Sequence, residues 1–491
     1  MKTKQWIESR GWVFILSVVL YLLGALAPNP ILHFTMSLAS ILSLILAFFA
    51  ASRTSQGLTI VFLFAGGLLV SQQHLTIAQI LLSFGSMLQL LSLFSVVPIL
   101  ALPIQIGNYQ RSVQHFVGVK ILPARVMYFT IELLSYILGS LMNIAAIPMM
   151  YQSVRQLVEE SNVAEEQQFL TKSIITGYAM PLIWSPVAAV VAAVVSVTRV
   201  SWVSILPISF ALSLVGLGLS MALHKFTLKH TDSIPKHTDS IPKHSDSIQE
   251  PFVNPKTNHP TSLQRLGSGN SGQKLHGLWN ILLGIAVFIL AMTALQRTTT
   301  LSMIEIISIL SIPFAWAWSL FLRQSREFWR SLKGYQKSVK NLHNTFAVFT
   351  AAGFFVEVLQ HSPYIKTIDE GLVVASQQLT PAVFIAFIPV LTVLLSLIGF
   401  HPVVSITLLG AALHPQVLHV SPVWLSIALL GGGVITFIVS PFNATLNVTG
   451  TVSGESPGRL MRWNLPFVLA FLLMVMLVVG LGQSFQSSPY S

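Results

Sequence analysis

Apolar runs long enough to cross a bilayer recur along the whole chain. They lie at about 12–28, 31–51, 57–71, 75–103, 126–151, 173–198, 203–223, 277–294, 301–321, 343–360, 381–416, 422–453 and 463–482. A spanning helix needs about 20 residues, because the hydrocarbon core is about 30 Å thick. The run 381–416 would reach about 54 Å as one helix and is interrupted by Gly399-Phe400-His401-Pro402. The opening residues 1–10, with Lys2, Lys4 and Arg10, precede an apolar run with no clear cleavage site. They read as a retained signal-anchor helix.

The pattern breaks once, between 224 and 276. A seven-residue unit runs there from Lys229 to Pro235, from Lys236 to Pro242 and from Lys243 to Ile248. A proline in the first two copies and a single apolar position besides it exclude a coiled coil. The segment reads as a flexible, low-complexity linker. It holds six of the 14 histidines. A polar spacer is the plainer reading of them, a metal-binding tract the rival one.

The linker divides the chain into related halves. Gly177 precedes Ser185-Pro186-Val187 in one, and Gly433 precedes Ser440-Pro441-Phe442 in the other; the two Ser-Pro pairs stand 255 residues apart. Upstream lie two Gly/polar interruptions, from Gly139 and Ser140 to Asn143 and from Gly399 to Pro402, paired here at a spacing of 260. Downstream lie Arg199 with Trp202, and Arg459 with Arg462 and Trp463. Interrupted segments at matching places in two halves point to a transporter built from inverted repeats. The expected organisation is an extra N-terminal helix (1–30), a first repeat (31–223), the linker (224–276) and a second repeat (277–491). Each repeat carries a re-entrant hairpin, at about 126–151 and 381–416. Each also carries a broken helix, at about 173–198 and 422–453.

Composition agrees. Hydrophobic residues make up 53% of the 491 and charged residues 9%, against about 25% charged in soluble proteins. Mean hydropathy is +0.73. The fold class expected is an all-α polytopic membrane protein with about eleven spanning helices plus two hairpins, in a bacterial plasma membrane. The absence of cysteine removes disulfide and thiolate chemistry. The net charge of +11 raises nucleic acid as a partner, but its distribution argues against that. With the N-terminus inside and both hairpins re-entrant, all but three of the 27 basic residues (Arg199, Arg297 and Lys366) fall on the cytoplasmic side. With both hairpins crossing fully, more than half would lie outside. The positive-inside rule prefers the hairpins and an external C-terminus. Six basic residues from Arg323 to Lys340 suit anionic lipid headgroups.

Non-helical backbone at membrane depth must be buried or line a cavity. Pro186 and Pro441 predict such breaks. A break exposes a helix N-terminus, which favours anions, and the carbonyls of the preceding half-helix, which favour small cations. The candidate substrate-binding residues are therefore Ser140, Asn143, Ser185, Pro186, His401, Pro402, Ser440, Pro441, Asn443 and Thr445, with Ser405, Asn447 and Thr449 nearby. Satisfaction of kinked backbone or helix packing is the plain alternative for any one of them. Candidates for the coupling ion, Na+ or H+, are Glu132, His401, Gly139 and Gly399. Glu305 and Glu357 are the other acidic residues within apolar runs, and such residues are functional candidates. No Walker A or HExxH pattern occurs, and neither enzyme activity nor a bound cofactor is expected.

This layout resembles the ion-transporter superfamily, in particular the divalent anion/sodium symporters and their arsenite-efflux and citrate-transporter relatives. Ser440-Pro441-Phe442-Asn443 is similar to the Thr-Pro-Pro-Asn element of the second broken helix, and Ser185-Pro186-Val187 to the first. The stretch from Thr345 through Gly353 and Phe354 to Leu359 resembles the helix that opens the second half. The hairpin tips lack the Ser-Asn-Thr motif of that family. The resemblance implies an elevator mechanism and allows a homodimer. Together these readings give an expected secondary transporter of a small anionic solute. Efflux antiport on the same fold and a non-transporting assembly protein are the alternatives.

Overall fold

The computed structural model describes residues 2–107, 123–161, 163, 165–231, 271–364, 367, 370–371, 379–416 and 418–486. Most of the linker therefore lies outside the described residues, as do Arg111, Lys120 and Lys366. Every regular element described is helical. The first half comprises α1 (Lys2–Leu26), α2 (Pro30–Phe48), α3 (Arg53–Ser71), α4 (Ile77–Ser83), α5 (Leu88–Val96), α6 (Leu102–Ile106), α7 (Ala124–Met142), α8 (Ala146–Glu160), α9 (Glu166–Ala179), α10 (Ala189–Thr198) and α11 (Trp202–Thr231). The second comprises α12 (Ser271–Thr298), α13 (Met303–Phe321), α14 (Ser325–Lys340), α15 (His343–Gln360), α16 (Pro381–Leu397), α17 (Pro402–Ala412), α18 (Pro422–Val439), α19 (Ala444–Ser453) and α20 (Pro457–Gln486). Helices α11 and α12 reach into the expected linker, as far as Thr231 and from Ser271. The apolar pattern marks where helices must be buried, and a polar stretch can still extend one by a few turns.

Local sequence explains many helix starts. Proline occupies the first turn of α2, α16, α17 and α18, where no backbone donor is lost. Ser302 and Glu305 form a capping box at α13, and Glu305 Oε2 accepts from Ser302 N–H at 2.7 Å. Its other oxygen accepts from the Tyr21 hydroxyl at 3.4 Å. Glu305 is thus occupied by helix capping.

Nine helical stretches among the described residues are long and apolar enough to cross a membrane, or ten if the bent pair α14–α15 counts as one span. The sequence led to about eleven. The run 173–198, expected to span, divides into pieces shorter than a span; the apolar part of α1, Arg10–Leu26, is also short, and α15 enters only through the bent pair. The 37-residue stretch Ala124–Glu160, counted among the nine, does not cross as one rod. Ser161 Oγ, beyond the end of α8, lies 3.6 Å from Met127 Sδ at the start of α7. In one continuous helix these residues would be about 50 Å apart. α7 and α8 are therefore the arms of a hairpin, turning at Asn143.

The packing is reciprocal. α7 lies along α9, and α16 along α18. The second arm α17 packs on α10, and the second arm α8 packs on α19. Outside this body, α3 lies along α15, while α13 lies along α5 and α6. Hydrogen bonds between distant residues mark the two ends of the bundle. At one, Arg10 Nε donates to the Lys340 carbonyl at 3.1 Å and Ser52 N–H to Asn344 Oδ1 at 2.8 Å. At the other, Gln73 Nε2 donates to the Val358 carbonyl at 3.4 Å and Ser421 N–H to Gln483 Oε1 at 2.8 Å. The outer face of α20 exposes Leu465, Leu469, Leu473, Leu477 and Leu481. That i, i+4 stripe suits lipid.

Candidate functional site

The two helix breaks are built alike. α9 runs through a 3-10 turn to Ile183, and the chain then leaves the helix at Ser185. The Ser185 hydroxyl donates to the Ser140 carbonyl at 2.7 Å. In the second half α18 ends at Ser440, whose hydroxyl donates to the Ser396 carbonyl at 2.9 Å. Both serines are buried. Each ties its break to the first arm of the hairpin beside it. A buried hydrogen bond of this kind contributes about 1 kcal/mol, and leaving the carbonyl bare would cost more.

About two turns earlier, each broken helix touches the hairpin arm through a glycine. A Cβ at Gly177 would strike the Glu132 carbonyl, and one at Gly432 would lie 2.8 Å from Pro389 Cα and O. Gly177 and Gly432 stand 255 residues apart, and Ser140 and Ser396 stand 256 apart. The same offset pairs Asn143 with Gly399. Both have positive φ, 52° and 116°. The sequence pairing of Gly139 with Gly399, and of Gly177 with Gly433, is therefore out of register. The first is displaced by a helical turn and the second by one residue. Glycine served as the marker, but at the first tip the special backbone position is taken by asparagine. Gly139 instead permits close packing on the Tyr178 backbone.

Asn143 (φ 52°, ψ −143°) occupies a region that costs a non-glycine residue about 1–3 kcal/mol. Its side chain offers a reason: Oδ1 accepts from the Tyr178 hydroxyl at 3.1 Å. Tyr178 also faces Thr445. The turn at Asn143 packs on α19, so Asn143, Tyr178, Asn443 and Thr445 meet at one place. Asn443 caps α19, its Oδ1 accepting from Thr445 N–H at 3.4 Å. The Asn443 amide nitrogen and the Thr445 hydroxyl are buried with no hydrogen-bond partner. Two carbonyls of this break are taken by one side chain. Asn447 Nδ2 donates to those of Pro441 and Asn443, at 3.2 and 2.8 Å. What remains is a donor-rich point at a helix N-terminus, which favours an anion.

The matching place on the other side is apolar. Residues 255 away from Tyr178 and Thr445 are Gly433 and Val190, and a Cβ on Gly433 would meet Val190 and Ile406. Pro186 and Pro441 lie in their breaks as expected. Pro402 begins α17, and His401 caps it, Nδ1 accepting from Val403 N–H at 3.3 Å. The His401 ring sits among Phe94, Phe349 and Phe437, with centroids 5.7, 5.2 and 6.5 Å away. Its surroundings are those of a structural cap, apart from the polar cluster. Glu132 is fully buried and faces Ser220, yet neither carboxyl oxygen has a hydrogen-bond partner. It lies eleven residues, about 16 Å of helix, from the tip. Tyr178, Ser396 and Gly432 were not singled out from sequence. Aligning the chain on itself at an offset of 255–256 would have found Ser396 and Gly432; Tyr178, whose counterpart is Gly433, carries no such signal.

The fold these elements make is that of an all-helical polytopic membrane protein. No protein-family profile matches the chain, and no curated protein does. Among solved structures it is similar to the YdaH transporter of Alcanivorax borkumensis, whose crystal structure is described as revealing an unusual topology. The TM-score is 0.58 at 14% identity, over 88% of this chain and 99% of that one. At that identity the likeness is one of fold.

Proposed function

We propose that the protein is a secondary transporter of a small anionic solute, built from two inverted repeats and working by an elevator movement. The unpartnered Asn443 amide at the α19 N-terminus carries this reading. It is a buried donor, beside Thr445 and the Asn143–Tyr178 pair, where two interrupted helices and a hairpin tip converge. An unmade hydrogen bond on a buried group costs about 1–3 kcal/mol, and a bound acceptor removes that cost. Among the described residues the site offers no lysine or arginine, so it suits a solute of low charge held by neutral donors and the helix terminus. The hairpins and broken helices form the moving body. The scaffold is α3 and α15 on one side and α13 with α5 and α6 on the other. Ser185 and Ser440 lock each break to its hairpin, so that the body moves as a unit. Coupling to Na+ or H+ belongs to the same reading.

The test is solute counterflow in proteoliposomes, with a panel of small mono- and dicarboxylates and oxyanions. Asn443→Asp keeps the helix cap, since Asp and Asn cap equally well, but replaces the donor by an anionic acceptor. Thr445→Val keeps shape and removes the hydroxyl. Both are expected to lower transport at least about tenfold, equivalent to about 1.4 kcal/mol. Full activity in both variants would falsify the site; no counterflow of any panel solute by the wild type would sink the transporter reading.

A further inference from the structure

A second polar cleft lies where the two bodies meet, away from the hairpin tips. Its volume is about 190 Å³, and its walls include Ser86, Gln89, Ser196, Arg199, Glu357 and Thr407. At about 30 Å³ per water molecule, it holds about six waters or one partly hydrated small ion. Ser86, Gln89 and Glu357 belong to the α5–α15 side. Ser196, Arg199 and Thr407 belong to α10 and α17. One hydrogen bond crosses the seam, from Gln89 Nε2 to Ser196 Oγ at 2.9 Å.

The chemistry of the walls favours a cation. α10, α15 and α17 all end here, at Thr198, Gln360 and Ala412. Each C-terminus presents carbonyls and about half a negative charge. Glu357 adds a carboxylate, and Ser86 Oγ is buried without a partner. Arg199, in left-handed conformation at the end of α10, is the one wall cation and forms no ion pair with Glu357. Among the described residues, the other ionisable group beside Glu357 is His361, with Nδ1 3.9 Å from the carboxylate. Glu357 and His361 also line an adjoining cleft of about 190 Å³, which extends the space around the carboxylate. Small residues line part of the cleft, Ala193, Gly410 and Ala411. At the repeat offset of 256, Thr407 corresponds to Tyr151, a much larger side chain.

We propose that this cleft binds a small monovalent cation, held by the Glu357 carboxylate and neutral oxygens from both bodies. Ligands on both sides of the seam bind best in the relative position seen here, so the cation stabilises this arrangement of the bodies. If the body moves as proposed above, cation binding is thereby coupled to that movement. Only this consequence rests on the transporter reading.

The test uses the full-length protein in detergent micelles, with sodium, potassium or lithium chloride against choline chloride at equal ionic strength. One reading is Tm. The other is cross-linking, which the cysteine-free chain permits, of Phe62→Cys with Phe400→Cys, whose rings lie 5.6 Å apart between α3 and the second hairpin turn, outside the cleft. An inorganic cation is expected to raise Tm by several degrees and to change the cross-linking rate by about threefold or more, as expected of a ligand that shifts populations. Glu357→Gln is expected to abolish both responses, Thr407→Val to weaken them and Arg199→Gln to preserve them. Unchanged responses in Glu357→Gln overturn the proposal. So does the absence of any difference from choline, or a response that follows exchange of chloride for gluconate. Both responses in a protein that moves no solute would uphold the cation site and remove the coupling.

Discussion

Asn143 and Gly399 hold equivalent corners of the two hairpins, and both corners need positive φ. Glycine is the economical choice there. Asparagine persists at the first because its side chain meets Tyr178. Function and stability should therefore separate at this residue. Asn143→Gly is expected to leave the protein as stable or more stable, by up to about 1–3 kcal/mol, while transport falls sharply. Thermal unfolding measured beside counterflow checks it, and a less stable but fully active variant would contradict it. Gly399→Ala should do the reverse. A Cβ there meets no atom within 4 Å, so any destabilisation is purely one of backbone conformation.

The element that defines the fold is a broken helix lying against a hairpin arm, used twice. Its closest contacts are at Gly177 and Gly432, where the opposing atoms include main chain that cannot move aside. Gly432→Ala is expected to lower Tm, with a loss of about 1–3 kcal/mol from overpacking. Gly67→Ala, in α3 with nothing within 4 Å of the added Cβ, should be neutral or gain up to about 1 kcal/mol of helix propensity. Equal effects of the two changes would mean that the close approach at Gly432 is not made. The elements also show why spacing alone misled the alignment of the tips. A helical turn of slip leaves the apolar pattern unchanged, because residues three or four apart share a face. The hydrogen bonds from Ser185 and Ser440, with the glycine contacts at Gly177 and Gly432, fix the register.

At the scale of the molecule, the hairpin fold decides sidedness. Met127 and Ser161 lie together, so both ends of the first hairpin face one side. Arg10, Lys340, Ser52 and Asn344 cluster at one end of the bundle, and Gln73, Val358, Ser421 and Gln483 at the other. Single cysteines at Ser161 and Ser338 are expected to react with an impermeant maleimide from one side of the membrane, and a cysteine at Thr299 from the opposite side. Reaction of positions 161 and 338 from different sides would refute the arrangement.

Apolar run lengths, low charge and paired Ser-Pro breaks were enough to read an all-helical membrane protein from the sequence. Each reports burial or a lost backbone donor, and both are written residue by residue. Sequence also placed Ser140, Ser185, Ser440, Asn443 and Thr445 among the polar groups near the breaks. It did not distinguish a polar group that is consumed from one that is free. His401 and Asn447 turned out to serve backbone, whereas the Asn443 amide is unpartnered. Nor did it show that only one of two equivalent places is polar, or that Arg199 and Glu357 line the same cleft. Those are relations between residues distant along the chain. Hydrogen bonding and close packing act over a few ångströms in space, so only the folded arrangement decides which groups find a partner.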